Sequence, residues 1–206
     1  MPSVDNLENA WKNNNIIFQK QLECNIKELN GNYPPHWNSI ISFLEGFLNK
    51  KNTFLDIACG CGAVYKLINS HYDNIFYTGI DYSSHAIELA KKHWEYNSFF
   101  VKDYKELTKD YIYDFDIVHA GALTNVLPDG DKCLDFLLKL QAKNLILTRM
   151  LLTEKDSNYT IYKAYNEIDT CLFYHNRGRF FDMIRNNNYT IVNSLGDNYL
   201  LRNRNV

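Results

Sequence analysis

The sequence predicts an α/β fold, in which a seven-stranded, mostly parallel sheet is covered by helices on both faces. Three observations predict it. From residue 53 onward, short apolar strands alternate with helical segments. These strands are too apolar to have a solvated face. The tail differs, because Gly196-Asp197 forms a tight turn between two short strands, which indicates an antiparallel C-terminal strand.

The size and composition favour one folded domain. The chain has 206 residues, 46% of them hydrophobic, so residues 1–50 are expected to form an N-terminal helical cap on the same domain as 51–206. A net charge of −2 provides no basic surplus for nucleic acid. No apolar run is long enough to span a membrane, and no secretory signal is visible. Five cysteines without C-x-x-C pairs indicate reduced thiols and a cytoplasmic location.

The predicted elements follow in order along the chain. A helix with Ile16, Leu22 and Ile26 on one face ends near Asn30-Gly31, and Pro34-Pro35 opens a second helix. Strands are predicted at 53–58, 75–80, 99–101, 115–120, 144–150, 189–194 and 199–202. Helices are predicted at 63–69, 86–93 and 131–140, and from Asn176 to about residue 185. The Tyr-rich stretch 151–175 shows no clear period.

A glycine-rich turn follows the first predicted strand. Gly60 and Gly62 let the backbone fold tightly and let a ligand approach closely. Asp81 lies 21 residues after Gly60, at the end of the second strand. A carboxylate at that place accepts hydrogen bonds from a ribose diol, which predicts a nucleoside site at the switch point of the sheet.

Two further acids narrow the choice of nucleoside. A dinucleotide fingerprint requires glycine where Tyr65 stands, and the lysine of a phosphate-binding loop is absent. Asp56, within the turn motif, suits a ligand with an ammonium and a sulfonium better than a pyrophosphate. Its alternative role is to bind the amides of the loop. Asp103, after the third strand, either accepts the amine of adenine or caps a helix.

These motifs resemble those of class I S-adenosylmethionine-dependent methyltransferases. The resemblance is carried by Asp-Ile-Ala-Cys-Gly-Cys-Gly (56–62), Gly-Ile-Asp-Tyr-Ser (79–83), Val-Lys-Asp (101–103) and Phe-Asp-Ile-Val-His-Ala-Gly (115–121), and it covers roughly residues 50–202. It implies a Rossmann-like fold, a bacterial enzyme and S-adenosylmethionine as cofactor. Ala58 replaces the first glycine of the motif, which many members tolerate.

The resemblance also implies a set of cofactor-binding residues. Asp56, Ala58, Gly60 and Gly62 would line the methionine end; Asp81, Tyr82 and Ser83 would hold the ribose and adenine; Asp103 and Tyr104 would meet the adenine edge; Ala120 and Gly121 would lie below the sulfonium. Trp11 is either a lid over the cofactor or a contact to the core.

The acceptor side is less specified by the sequence. Methyl transfer to a hydroxyl requires a base, for which His119 and His175 are the candidates. His119 is otherwise a packing residue, and His175 otherwise lies on the surface. The predicted substrate-binding residues are Asn125, Arg149, Tyr162 and Tyr165. Asn125 is alternatively a loop cap, and Arg149 alternatively pairs with Glu154 or Asp156.

We expect a small-molecule acceptor, because the chain has no separate target-recognition region. O-methylation is favoured over N-methylation, and the family resemblance suggests a surface-glycan sugar or a related metabolite. No His/Asp/Glu cluster has the spacing of metal ligands, so no metal is predicted. The sequence leaves open whether the protein forms a homo-oligomer.

Two other functions compete with this one. A nicotinamide-dependent dehydrogenase would share the ribose-binding acid, but Tyr65 stands where its fingerprint requires glycine. The catalytic Tyr-x-x-x-Lys pair of such enzymes has only a shifted counterpart here, within Tyr159 to Lys163. A non-catalytic module that binds a nucleoside is compatible with the sequence, and only a turnover assay separates it from an enzyme.

Overall fold

The N-terminal part of the protein is helical. The computed structural model describes residues 2–12 and 14–205. Helix α1 spans Val4–Glu8, α2 spans Asn15–Leu29 and α3 spans Pro35–Leu44. The Asn14 side chain caps α2 by accepting from the backbone N–H groups of Ile16 and Ile17. As predicted, Pro35 occupies the first turn of α3, where its missing N–H costs no hydrogen bond.

A seven-stranded sheet forms the centre of the molecule. Its strands are β1 Asn52–Ile57, β2 Ile75–Asp81, β3 Phe99–Val101, β4 Ile117–Gly121, β5 Asn144–Thr148, β9 Tyr189–Leu195 and β10 Asn198–Asn203. They lie in the order β3-β2-β1-β4-β5-β10-β9. All pairs are parallel except those of β10, which runs antiparallel to both of its neighbours. The strand order reverses between β1 and β4, and ligands of such sheets bind at this point.

Helices cover both faces of this sheet, as the sequence predicts. They are α4 Ala63–Asn69, α5 Ser84–Trp94, α6 Lys109–Tyr113, α7 Gly130–Lys139 and α8 Arg177–Asn186. Neighbouring residues of β1 enter opposite cores, since side chains alternate along a strand. Phe54 packs in the core that contains α3, α4 and α5, whereas Leu55 packs in the core that contains α7 and α8. The Rossmann-like fold is therefore confirmed.

Residues 151–175, for which no structure was predicted, supply most of a second sheet. Its strands are β6 Leu152–Thr153, β7 Asn158–Ala164 and β8 Ile168–Asn176, in the order β6-β8-β7. Tyr165 and Asn166 both have positive φ in the turn between β7 and β8. Such turns usually contain glycine, so this hairpin lacks the usual sequence signal.

The fifth predicted strand is shorter than expected. Strand β5 ends at Thr148, because Arg149 adopts a left-handed φ of 62°. None of the helices among the described residues has the length and apolarity that a membrane crossing needs.

Candidate functional site

The glycine-rich turn joins β1 to α4 through three residues with positive φ. Ala58, Gly60 and Gly62 have φ of 58°, 53° and 76°. A Cβ on Gly62 would lie 2.6 Å from the Phe99 ring, so this glycine is needed for close packing. Gly60 instead faces a cavity and donates its N–H to Asp81 Oδ2 at 2.9 Å. The turn and the end of β2 are thus held together by this bond and by one from the Cys59 N–H to the Ile80 carbonyl oxygen at 2.9 Å.

Asp81 presents a nearly buried carboxylate at the end of β2. Its Oδ1 accepts from the Ser83 N–H at 2.9 Å, and its Oδ2 accepts from Gly60. Burial and the nearby Asp56 and Asp103 raise its pKa to about 6, although the two backbone N–H bonds act in the opposite direction. Each oxygen has a further lone pair. The carboxylate therefore fits a ligand with two adjacent hydroxyls, as on a ribose.

The larger of two adjoining cavities, about 340 Å³, opens above the ends of β1, β2 and β4. Its size is within the range of small-molecule sites. It brings together most of the predicted cofactor residues and three of the predicted substrate residues. They are Trp11, Ala58, Gly60, Asp81, Tyr82, Asp103, Tyr104, Gly121, Arg149, Tyr162 and Tyr165.

A smaller cavity of about 170 Å³ adjoins the first. The two share the lining residues Gln21, Ala58, Gly60, Gly121, Ala122, Arg149 and Tyr165. The smaller cavity extends toward α2 and α3, where Glu28 and His36 line it, and its floor contains His119 and Thr148. The molecule therefore has two connected compartments that meet at the glycine-rich turn.

Asp56, His119 and Thr148 form a hydrogen-bonded chain below the smaller cavity, which we call the Asp56 chain. Asp56 and His119 are direct register partners on β1 and β4. His119 Nδ1 lies 2.7 Å from Asp56 Oδ1, and Nε2 lies 3.1 Å from Thr148 Oγ1. Asp56 thus binds side chains and not the amides of the loop, and because it also lines the smaller cavity, its place at the methionine end of the cofactor stays a prediction.

Tyr77 completes this chain by donating its hydroxyl to Asp56 Oδ2 at 2.7 Å. Burial and the Asp56 carboxylate raise the pKa of Tyr77 well above its usual range, so the phenol remains a donor. With Asp56 ionised, His119 carries its proton on Nδ1 and leaves Nε2 as an acceptor for the Thr148 hydroxyl. The chain can therefore accept a proton at its Thr148 end.

The methyltransferase domain family matches residues 48–190. The chain belongs to this family. No curated protein matches its sequence. The sheet order, the Asp81 site and the solved structures described next agree that it is a class I S-adenosylmethionine-dependent methyltransferase. S-Adenosylmethionine is its cofactor, and the nicotinamide alternative is not supported.

Several solved structures share the fold of this methyltransferase at low sequence identity. One is magnesium protoporphyrin IX methyltransferase from Synechocystis with bound S-adenosylmethionine, with 16% identity, a TM-score of 0.54 and coverage of 89% of this chain and 81% of that chain. Another is an S-adenosylmethionine-dependent methyltransferase from Clostridium acetobutylicum, with 14% identity, a TM-score of 0.58 and coverage of 90% and 98%. The N-terminal domain of EvdMO1, with S-adenosylhomocysteine bound, has 14% identity, a TM-score of 0.58 and coverage of 84% and 82%.

His175 lies in a second buried chain, away from both cavities of the methyltransferase. Its Nδ1 is 2.7 Å from Asp131 Oδ1, and its Nε2 is 3.2 Å from Thr124 Oγ1. The side chain has 0% exposure and lines neither cavity. The expectation of a surface position is therefore wrong, and a fully buried ring that lines neither cavity gives no support to the predicted role of a catalytic base. We call this set the Asp131 chain.

Four other predicted site residues line neither cavity. Gly62 allows close packing against Phe99, and Ala120 is buried in the core. Ser83 caps α5 with its hydroxyl and holds Asp81 with its N–H, so it positions a binding residue. Asn125 is 1% exposed, and its Oδ1 has no hydrogen-bond partner. The structure therefore gives no support to the direct ligand contacts that were expected of these four residues.

Trp11 lies between the larger cavity and the second sheet, and its role as a lid over the cofactor stays a prediction. It lines the larger cavity, and its Nε1 donates to Thr170 Oγ1 of β8 at 3.1 Å. The edge of its ring also contacts Tyr165. The N-terminal segment and the second sheet thus meet above the cavity and form its roof.

The sequence analysis missed the cavity walls that come from distant segments. Phe18 and Gln21 of α2 line the larger cavity, and Gln21 Oε1 accepts from the Cys61 N–H at 3.2 Å. Their spacing of three residues puts them on one helix face, but nothing in the sequence shows what this face contacts. Among residues 2–12 and 14–205, no three His, Cys, Asp or Glu side chains are grouped to hold a metal.

Proposed function

We propose that this methyltransferase methylates a hydroxyl oxygen of a small molecule that binds in the smaller cavity. The observation that carries the proposal is the Asp56 chain, which ends in Thr148 at the floor of that cavity. The neighbouring larger cavity suits the cofactor, with Asp81 on the ribose, Tyr82, Asp103 and Tyr104 around the adenine, and Ala58, Gly60 and Gly121 at the junction.

The cofactor supplies an activated methyl group and its leaving group. The protein then has to align the acceptor at the junction of the cavities and exclude water. The roof formed by Trp11 and the second sheet serves the exclusion of water. Gly121 lines both cavities, and its missing side chain leaves room for the His119 ring and the Thr148 hydroxyl, because a Cβ would lie 2.6 Å from His119 Cε1.

The proton of the acceptor hydroxyl has a path into the protein. When the acceptor hydroxyl reacts, its proton would pass to Thr148 Oγ1, and the Thr148 proton would pass to His119 Nε2. Asp56 Oδ1 stabilises the resulting imidazolium through Nδ1. An amine that binds unprotonated needs no such path to attack, so the path is of most use to an oxygen acceptor, of which a sugar hydroxyl is one example.

Binding and turnover test this proposal separately. Calorimetric titration with S-adenosylmethionine, S-adenosylhomocysteine and NAD should give binding of the first two only. Asp81→Asn should weaken S-adenosylhomocysteine binding by about 1.5–3 kcal/mol, since hydrogen bonds to a charged group are lost. Asp135→Asn, which changes a surface acid paired with Lys139, should leave the affinity unchanged.

The pKa of Asp81 adds a pH test. The ribose hydroxyls bind the ionised carboxylate, so affinity should be complete above about pH 6 and decline as the pH falls through this value. The Asp81→Asn variant should bind weakly with no such decline.

Incubation with a metabolite extract should then give a product heavier by one methyl group, bound through oxygen. Binding without any turnover would favour the non-catalytic module.

A further inference from the structure

Arg149 lies where the two cavities meet, and its backbone is fixed in an unusual conformation. Its φ of 62° is left-handed, which few residues other than glycine adopt. The Arg149 N–H donates to Asn198 Oδ1 at 2.9 Å, and Asn198 Nδ2 donates to Ser39 Oγ at 3.1 Å. Asn198 is 1% exposed. The buried side-chain amide of Asn198 thus stabilises the backbone conformation of Arg149 at the end of β5.

The guanidinium of Arg149 differs from that of every other arginine in the chain. Arg177, Arg179, Arg185, Arg202 and Arg204 each donate to an acidic, amide or hydroxyl oxygen of a neighbouring side chain. In the part of the chain that the structure describes, Arg149 has neither an ion pair nor a side-chain hydrogen bond. The predicted partner Glu154 instead binds Arg177 at 2.5 Å.

The surroundings of this free guanidinium are walls of the site. Burial raises the pKa of Glu28, Tyr162 and Tyr165, and the Arg149 charge acts against this rise. These three residues and His36 line one or both cavities. Burial, followed by the charges of Arg149 and His119, lowers the pKa of His36 to about 4. His36 is therefore neutral at pH 7 and adds a polar group without charge.

The hydrogen-bond partners already made in the smaller cavity show which of its groups remain for a ligand. Asp56 accepts from His119 and Tyr77, so its oxygens already have donors within the protein. Glu28 is the other acid that lines this cavity, and it forms no ion pair within 4.0 Å among the described residues. Arg149 is the only Lys or Arg in its lining. A planar guanidinium with five N–H donors matches a carboxylate or phosphate better than any neutral group.

We propose that the acceptor carries a carboxylate or phosphate group, which Arg149 binds while the acceptor hydroxyl lies over Thr148. The proposal rests on the proposed function and specifies its substrate class as a small hydroxylated anion. The main competing partner of Arg149 is the carboxylate of the cofactor itself. A comparison of two cofactor analogues separates the two assignments.

The first experiment measures binding without turnover. S-Adenosylhomocysteine and 5′-methylthioadenosine, which lacks the amino-acid portion, are titrated into wild type, Arg149→Gln and the control Arg204→Gln. We expect each variant to bind both analogues within about twofold of wild type. A loss of tenfold or more for S-adenosylhomocysteine alone, confined to Arg149→Gln, would assign Arg149 to the cofactor carboxylate and overturn the proposal.

The second experiment identifies the charge of the acceptor. The protein is incubated with trideuteromethyl S-adenosylmethionine and a metabolite extract that has been separated by anion exchange at pH 7. We expect the labelled product in the retained, anionic fraction, with KM raised about tenfold or more by Arg149→Gln and kcat little changed. A labelled neutral or cationic product would overturn this proposal and leave the proposed function intact, whereas no labelled product in any fraction would overturn both.

Discussion

The Asp56 chain and the Asp131 chain have the same composition and opposite relations to the site. Each joins an aspartate, a histidine and a threonine, with 2.7 Å between carboxylate and Nδ1 and 3.1 or 3.2 Å between Nε2 and the hydroxyl. His119 and Thr148 line a cavity, whereas His175 packs against Phe173 and Phe180. Hydrogen-bond geometry alone therefore does not identify a base; access to a ligand does.

Their charge environments differ as well. Asp131 Oδ2 also forms an ion pair with Arg179 Nε at 3.2 Å. Burial alone would raise the pKa of Asp131, but the hydrogen bonds from His175 and Ser157 and the Arg179 charge lower it. Asp56 has a neutral phenol, Tyr77, as its second partner. The Asp131 chain is thus a fully paired structural element that joins α7 to β8 and α8.

The largest expected effect comes from breaking the Asp56 chain. His119→Gln should reduce kcat by about 10²–10⁴-fold, because the proton acceptor is lost. S-Adenosylhomocysteine affinity, measured by calorimetry, should change little, since His119 lies outside the cavity assigned to the cofactor. A variant that folds and keeps wild-type kcat would exclude His119 from the reaction.

Breaking the Asp131 chain should instead affect the free energy of unfolding. His175→Gln should lower it by about 3 kcal/mol in denaturant titrations, because a buried carboxylate loses its main partner. The kcat of the folded fraction should stay within about twofold of wild type. If kcat fell as much as it does for His119→Gln, the distinction between the two chains would fail.

A smaller effect is expected from disturbing His119 indirectly. A Cβ on Gly121 would lie 2.6 Å from His119 Cε1, so Gly121→Ala should displace the ring and reduce kcat by about tenfold. Gly130→Ala would place a Cβ 2.2 Å from the Thr124 carbonyl oxygen beside the Asp131 chain, and should reduce stability instead. Gly46→Ala, where nothing lies within 4 Å, is the matched control.

The smallest effect concerns acid stability. Because the pKa of Asp131 is lowered by folding, its contribution is complete above its ordinary value and is lost as the pH falls below about 4. Asp131→Asn should therefore flatten the decline of Tm in this pH range, because the residue can no longer lose its charge. An unchanged acid profile would show that Asp131 is not held in its charged form by the fold.

The predictions that succeeded depend on short segments of sequence. Asp81 and the glycine-rich turn are specified by a strand, a turn and a second strand within 30 residues, so their proximity follows from the parallel pairing of β1 and β2. The order of helices and strands follows from apolar periodicity. The division into residues 1–50 and 51–206 stays a prediction.

The predictions that failed depend on contacts between distant segments. His175 binds Asp131, which is 44 residues away in the sequence. The alternation of side chains along a strand also does not reveal which face of the sheet carries a cavity. The left-handed φ of Arg149 is supported by Asn198, 49 residues later. The β7–β8 hairpin turns at Tyr165-Asn166 without glycine, so its local signal is weak.

Asn198 has a consequence for protein engineering. One amide group joins the C-terminal hairpin, the end of β5 and helix α3 through Arg149 and Ser39, yet it lines neither cavity. Libraries that vary only the residues in contact with ligand would leave this control of the arginine untouched. A selection for altered substrate charge should therefore include position 198.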